Sequence, residues 1–160
     1  MLSDYYSAIP IRFDFIDQVY SELSQAQFYV SKTRQTRSDV SPELKQKFRD
    51  VLPFNIYCCG FFKNPPGWFY PMHKDVERLC ALNVLLCDES QNFETFCYDD
   101  GRKQIAQVDY RRDVPILLNT KKFHSVRNND TATRYLLSIG CIDEDYESVK
   151  RKLHDHFNAS

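Results

Sequence analysis

Between about residues 53 and 142 the sequence is a succession of short apolar segments separated by turn residues, and this pattern restricts the fold more than any other feature. Short segments of this kind, at roughly regular spacing, predict the strands of a β-sandwich or barrel. Eight such strands in two Greek-key sheets form a jelly roll, also called a double-stranded β-helix. We therefore predict a mainly β jelly roll. Its predicted strands are residues 54–62, 68–75, 78–87, 93–98, 104–108, 114–118, 123–127 and 133–142.

Helical patterns flank the strand region on both sides. Asp14 is a candidate N-cap for a helix with an apolar face that ends near Leu23. Ser41 followed by Pro42 is a second start signal, since serine caps helices and proline fits the first helical position. Between these two helices, the polar residues 31–40 predict a loop or an irregular arm.

We predict a single domain over residues 1–160, because this length suits one hydrophobic core. Residues 1–52 are its helical support, residues 53–142 its jelly-roll core and residues 143–160 its C-terminal helix.

Composition limits the partners and the location that we expect. The 21 basic and 22 acidic side chains leave a formal charge of -1, which gives no electrostatic reason to expect nucleic acid or an anionic membrane as a partner. The sequence begins without a basic, apolar leader, and no apolar run approaches the ~20 residues that a membrane span needs. Its six cysteines form no C-x-x-C pair. We therefore expect free thiols in a cytosolic protein.

The few histidines are the first indication of chemistry. His154 and His156 stand two apart in the predicted C-terminal helix, so they point in different directions and make a poor metal pair. His73 and Asp75 are also two apart, but at the end of a predicted strand, where such a spacing puts both side chains on one face. With His124 on a later strand, they can form the 2-His-1-carboxylate triad that non-haem iron(II) uses.

Arg134 follows His124 across a turn signal at residues 128–130. A hairpin at this turn would place Arg134 and His124 opposite each other, both facing the interior. A buried arginine needs an anion to offset its desolvation, and no acid is suitably placed on these strands. We therefore predict that Arg134 binds a small dicarboxylate through its planar guanidinium. The alternative is an exposed Arg134 on an edge strand.

Together, His73-x-Asp75, His124 and Arg134 resemble the motif of the iron(II)/2-oxoglutarate-dependent dioxygenases. The resemblance covers roughly residues 54–142, and it is greatest to small prolyl- and aspartyl-hydroxylase-like domains. These domains have an H-x-V-x-N segment at the second histidine, which residues 124–128 match.

The chain departs from those domains in its anchor residue. Arg134 stands where prolyl hydroxylases usually have lysine. In relatives that use an R-x-S pair, serine follows the arginine by two residues. Here that position is Leu136, and Ser138 lies two residues further on. Whether Ser138 helps to bind 2-oxoglutarate is open.

The resemblance implies an enzyme that binds iron(II), 2-oxoglutarate and O2 and releases succinate and CO2. The expected reaction is hydroxylation, or oxidative demethylation, of a substrate that the sequence does not identify. The hydroxylase likeness favours a protein or peptide side chain, followed by a small molecule, with nucleic acid third.

Strand parity suggests further contacts to the oxoacid. Tyr57 in the first predicted strand and Asn83 in the third are polar positions in apolar surroundings. We expect each either to contact 2-oxoglutarate or to be a hydrogen-bonded core residue. The aromatic residues 68–70 directly precede the metal motif. They can line a substrate entrance or be ordinary strand packing.

A different class of function is also compatible with the motif. The domain can be a non-catalytic, cupin-like module that binds a metal or another ligand, since two histidines and a carboxylate also bind zinc or manganese. Arg134 favours the oxygenase, because a simple metal-binding module has no need of it.

Overall fold

The computed structural model describes residues 1–158, which form two antiparallel sheets and three helices. The helices are α1 (Ile16–Gln25), α2 (Pro42–Val51) and α3 (Tyr146–Asn158). The strands are β1 (Tyr6–Ala8), β2 (Tyr29–Val30), β3 (Thr36–Asp39), β4 (Cys58–Asn64), β5 (Phe69–His73), β6 (Cys80–Leu85), β7 (Phe93–Tyr98), β8 (Gln104–Gln107), β9 (Pro115–Leu118), β10 (Phe123–Asn128) and β11 (Arg134–Cys141).

The predicted jelly roll is confirmed. The seven-stranded sheet has the order β1-β9-β6-β11-β4-β3-β2, and the four-stranded sheet has the order β5-β10-β7-β8. All eight predicted core strands are present as β4–β11, four in each sheet. The chain changes sheet repeatedly along this core, which is the Greek-key arrangement.

Alternation along the central strands separates an apolar face from a partly polar one. In β6, Leu82 and Val84 belong to the large core that contains apolar side chains of α1, α2 and α3. Ala81 and Asn83 face the opposite way and line a cavity between the sheets. Successive side chains in a strand point to opposite faces, and β6 is buried on both. The helix-facing side therefore provides most of the apolar core.

The N-terminal region is more than the predicted helical support. Its strands β1, β2 and β3 extend the larger sheet at both ends. The predicted loop at residues 31–40 contains β3, which pairs with β4 although its sequence is polar. Backbone pairing with an existing strand edge requires no apolar pattern, which explains why the sequence did not reveal it.

The predicted helices are confirmed, with one wrong cap. Ser41 Oγ accepts a hydrogen bond from the backbone N–H of Leu44 at 3.0 Å, as an N-cap serine should. Asp14 does not cap α1, because that helix begins at Ile16 and has no side-chain cap. The predicted C-terminal helix is α3, and residues 159 and 160 lie outside the described part of the chain.

Two other predictions concern cysteines and the membrane. All six cysteines are free, as expected. Within residues 1–158, no helix combines the length and apolarity that a bilayer span requires.

The turn at residues 128–130 is not the predicted hairpin. Strand β10 pairs with β5 and β7 in the smaller sheet, whereas β11 pairs with β4 and β6 in the larger one. The chain therefore crosses from one sheet to the other. Asn128, which is fully buried, fixes the crossing: its amide donates to the carbonyls of Asn64 and Ala132, and its Oδ1 accepts from the N–H of Asp130.

This crossing gives a test of what sets the position of β11 relative to β10. We expect Asn128→Ala to lower the free energy of unfolding by about 2–4 kcal/mol, because it leaves buried backbone groups without partners. Chemical denaturation measures the change. Asn129→Ala is the matched control, since Asn129 is exposed and its side-chain amide donates to the side chain of Glu94 rather than to buried backbone. An equal effect of the two substitutions would contradict the role assigned to Asn128.

Candidate metal centre and anion pocket

His73, Asp75 and His124 lie together at one end of the smaller sheet. His73 ends β5, and its Cα is paired with that of His124 on β10. Asp75 lies two residues beyond β5, where its backbone N–H donates to the carbonyl of Thr120. Asp75 Oδ1 is 3.4 Å from His73 Nε2 and 4.0 Å from His124 Nε2. All three candidate ligand atoms lie within 4.8 Å of one another.

The rings of both histidines are oriented by the backbone. His73 Nδ1 is 2.8 Å from the carbonyl oxygen of Pro71, and His124 Nδ1 is 3.0 Å from that of Lys122. A carbonyl only accepts, so each Nδ1 bears a proton, and Nε2 is the ring nitrogen left to face the other candidate ligands. Metal-binding histidines are commonly fixed in this way by an outer hydrogen bond.

The protonation states suit a metal ion as well. Burial, together with the nearby His73, lowers the pKa of His124 to about 4, so its imidazole is neutral at pH 7. Burial raises the pKa of Asp75, but contacts with His73 and Arg78 outweigh burial and lower this pKa overall. A neutral imidazole and an ionised carboxylate are the forms that bind a metal.

These donors fit iron(II). Two imidazole nitrogens and one carboxylate oxygen, with space beyond them, are the facial triad of non-haem iron(II) sites. The residues that would hold the ion are His73, Asp75 and His124.

Arg134 lies in the cavity between the sheets and has no exposed surface. Its Nη2 donates to Thr95 Oγ1 at 3.2 Å, and its guanidinium lies 4.8 Å from the centre of the Tyr110 ring. Within residues 1–158, its Nε and Nη1 have no hydrogen-bond partner. The predicted alternative of an exposed edge position is therefore wrong.

The cavity also brings Asn83 and Ser138 towards Arg134. Asn83 donates to the Tyr110 hydroxyl at 3.2 Å, and no group among the described residues bonds to its Oδ1. Ser138 Oγ accepts from Arg78, which in turn contacts Asp75. The anion pocket and the metal centre are therefore adjacent.

Tyr57 is not part of this cavity. It precedes β4, half of its surface is exposed, and its backbone N–H bonds to Gly140 at the opposite end of β11 from Arg134. Six residues of strand separate Gly140 from Arg134, or roughly 20 Å. In β4 the odd-numbered Phe61 belongs to the helix-facing core, whereas the even-numbered Asn64 lines the cavity, so the alternation does not direct Tyr57 to the cavity either.

Tyr110 and Thr95 were missed by sequence reasoning. Tyr110 lies in a polar connection that gives no strand signal, and Thr95 lies in an alternating strand with nothing to distinguish it. Both are buried beside Arg134. Thr95 could have been found from β7 parity, because it shares a face with the buried Cys97.

The aromatic residues before the metal motif form a short stack that leads to the metal centre. The rings of Trp68 and Tyr70 are nearly parallel, with centroids 5.8 Å apart, and Tyr70 contacts His73 edge to face at 4.5 Å. Phe69 is half exposed. His154 and His156 lie far along the chain on α3, with His156 exposed.

We compared the sequence and the structure with known proteins. No family model and no curated protein matches the sequence. Solved structures do match. A prolyl hydroxylase from Trichoplax adhaerens, in complex with a hypoxia inducible factor oxygen degradation domain peptide fragment, is 13% identical, with a TM-score of 0.64 over 92% of this chain and 88% of that one.

HygX from Streptomyces hygroscopicus, with nickel, 2-oxoglutarate and hygromycin B bound, is 16% identical, with a TM-score of 0.61 over 87% of this chain and 83% of that one. The fold is that of the 2-oxoglutarate oxygenases. It is also found in the cupin domain of CENP-C from Drosophila melanogaster. That domain is 11% identical, with a TM-score of 0.54 over 81% of this chain and all of that one.

Metal binding can be tested without assuming any reaction. We expect the protein to bind Mn(II), followed through the electron paramagnetic resonance signal of the free ion. Alanine at residue 73, 75 or 124 should weaken binding by more than about a hundredfold, because each substitution removes a ligand atom. His156→Ala is the control and should bind Mn(II) normally. Unchanged binding in all three site variants would show that the metal binds elsewhere.

Proposed function

We propose that the protein is an iron(II)/2-oxoglutarate-dependent oxygenase that hydroxylates, or oxidatively demethylates, its substrate. We base this on Arg134. A fully buried guanidinium with two nitrogens that no described residue engages calls for an anion. This guanidinium shares the space between the sheets with Arg78, which contacts Asp75. A metal centre alone would not explain it.

Each residue has a definite part in the proposed site. His73, Asp75 and His124 hold the iron, and their outer contacts fix the direction of each ligand atom. Arg134 binds the distal carboxylate of 2-oxoglutarate through N–H groups that no described residue engages, as charge-assisted hydrogen bonds from a guanidinium. Iron(II) with 2-oxoglutarate and O2 supplies hydroxylation of a C–H bond, with release of succinate and CO2.

Hydroxyl groups complete the carboxylate site. Thr95 Oγ1 already accepts from Arg134, so its own proton is free to be donated. The Tyr110 hydroxyl accepts from Asn83 and is likewise free to donate. Two such donors beside a guanidinium satisfy a carboxylate that is removed from water. Asn83 thereby orients Tyr110 in this scheme.

The proposed substrate is a protein or peptide side chain, with a small molecule as the alternative. Two neighbours in fold bind ligands of these two kinds, a peptide fragment in one case and hygromycin B in the other. The stacked Trp68 and Tyr70 support an entrance beside His73, because flat aromatic surfaces bind rings and peptide planes. The formal charge of -1 favours neither RNA nor DNA.

A non-catalytic binding module is the second candidate. It is favoured by the likeness in fold to the CENP-C cupin domain. Such a module can retain the metal triad and bind zinc or manganese. It would have no use for 2-oxoglutarate, so the response to this compound separates the two candidates.

The decisive experiment adds iron(II) and then 2-oxoglutarate to the protein without oxygen. We expect a weak visible charge-transfer band, followed by formation of succinate when air is admitted. Absence of both, in protein that binds Mn(II), would favour the binding module. Boiled protein and free iron(II) serve as blanks for non-enzymatic decarboxylation.

Arg134→Met separates the anchor role from the metal role. We expect metal binding to be retained, while the 2-oxoglutarate dissociation constant rises at least about thirtyfold, for a loss of ~2 kcal/mol or more. Without 2-oxoglutarate, the free energy of unfolding of the variant should exceed that of the unsubstituted protein by about 1–3 kcal/mol, because the variant has no uncompensated charge buried at this position. Arg111→Met, at an exposed position, is the control. Unchanged 2-oxoglutarate binding would remove Arg134 from the site.

Tyr110→Phe tests the hydroxyl beside the anchor. Loss of one hydrogen bond should weaken 2-oxoglutarate binding by about two- to tenfold. Tyr57→Phe is the matched control, since Tyr57 is exposed and lies outside the cavity. Isothermal titration with the Mn(II)-loaded protein measures both variants. If Tyr57→Phe weakened 2-oxoglutarate binding more than Tyr110→Phe, the assignment of Tyr110 rather than Tyr57 to the anion pocket would be wrong.

A further inference from the structure

Arg78 connects the two halves of the site. Its Nε and Nη2 both lie 2.7 Å from Asp75 Oδ2, and its Nη1 donates to Ser138 Oγ at 3.2 Å. Ser138 belongs to the same strand as Arg134 and lines the same cavity. One side chain therefore attaches the candidate metal carboxylate to the strand that bears the candidate anion anchor.

The contacts of Arg78 make the two carboxylate oxygens of Asp75 unequal. Oδ2 accepts from Nε and forms an ion pair with Nη2, and this guanidinium makes Oδ2 a poor ligand for a metal cation. Oδ1 is left to face His73 and His124, at 3.4 Å and 4.0 Å from their Nε2 atoms. A carboxylate held in this way can give a metal only one oxygen.

We propose that Arg78 is a positioning residue that keeps Asp75 a one-oxygen ligand. This rests on the proposed function, in which iron needs open positions beside its three protein ligands. A carboxylate that bound through both oxygens would occupy one of these positions. By occupying Oδ2, Arg78 prevents this and leaves the three-atom triad intact.

The fold fixes Arg78 along its whole length. Thr120 Oγ1 donates to the backbone carbonyl of Arg78 at 2.8 Å. The aliphatic part of the side chain crosses Gly140, where an added Cβ would stand only 2.6 Å from Arg78 Cδ. The guanidinium is therefore placed by its path across the sheet as well as by its partners.

The geometry requires arginine rather than any cation. A planar guanidinium can direct two N–H groups to Asp75 and a third to Ser138, whereas a lysine ammonium is a single compact charge. Arg78→Lys therefore keeps the charge but no longer holds Oδ2 of Asp75 in a way that leaves only Oδ1 for the metal. Arg78→Gln removes the charge as well.

The test measures metal affinity and coordination in the full chain, with activity as a separate assay. We expect Arg78→Gln to raise the Mn(II) dissociation constant by about 10- to 100-fold, as loss of an outer contact does elsewhere. Arg78→Lys should recover only part of this loss. The visible absorption of bound Co(II), which reports coordination number, should change in both variants. Arg111→Gln, at an exposed site, should match the unsubstituted protein.

Ser138→Ala provides a milder variant in case Arg78→Gln does not fold. It retains the contact between Arg78 and Asp75 and removes one anchor, so Mn(II) binding should weaken by about two- to tenfold. If Arg78→Gln or Ser138→Ala melts at a lower temperature but binds Mn(II) and Co(II) like the unsubstituted protein, Arg78 is only structural and the inference is wrong. If instead metal binding changes as expected but the unsubstituted protein never consumes 2-oxoglutarate, the proposed reaction fails while the role of Arg78 stands.

Discussion

The guanidinium of Arg134 lies buried between the two sheets, and no carboxylate of residues 1–158 pairs with it, so the remainder of the architecture has to support its burial. Arg134 has no exposed surface, and one hydroxyl accepts from it. Such a group opposes folding, because desolvation of an unpaired charge is costly. The apolar core on the helix-facing side of the larger sheet offsets this cost. A small dianion bound beside Arg134 would supply an opposite charge at this position.

The sequence predicted most of the fold and the chemical groups of the site. Strand periodicity identified all eight core strands, and the same alternation placed Asn83 on the cavity side of β6. Short periodic segments are reliable guides because one face of each strand must be buried. The cluster of His73, Asp75 and His124 as candidate ligands could be predicted, because few residue types bind metals and the spacing limited the combinations.

The parts that failed depend on long-range pairing. The sequence at residues 128–130 indicates a turn, but whether a turn joins strands of one sheet or two depends on which edges remain free. Val126, two residues from His124 on β10, and Arg134 on β11 line the same cavity although β10 and β11 are not paired. Tyr110 reaches the anion pocket from a loop, and no periodicity extends through a loop.

The division of the larger sheet into two faces has a consequence for how such a protein can change over evolutionary time. Substitution of Leu82 or Val84 disturbs the helix-packed core, whereas Asn83 and Ser138, on the other face, contribute little to it. Substitutions of cavity residues can therefore accumulate, by drift or selection, with little loss of stability. A lineage can lose or exchange its chemistry and still inherit the same scaffold. A shared fold between oxygenases and a cupin domain is what such a history would produce.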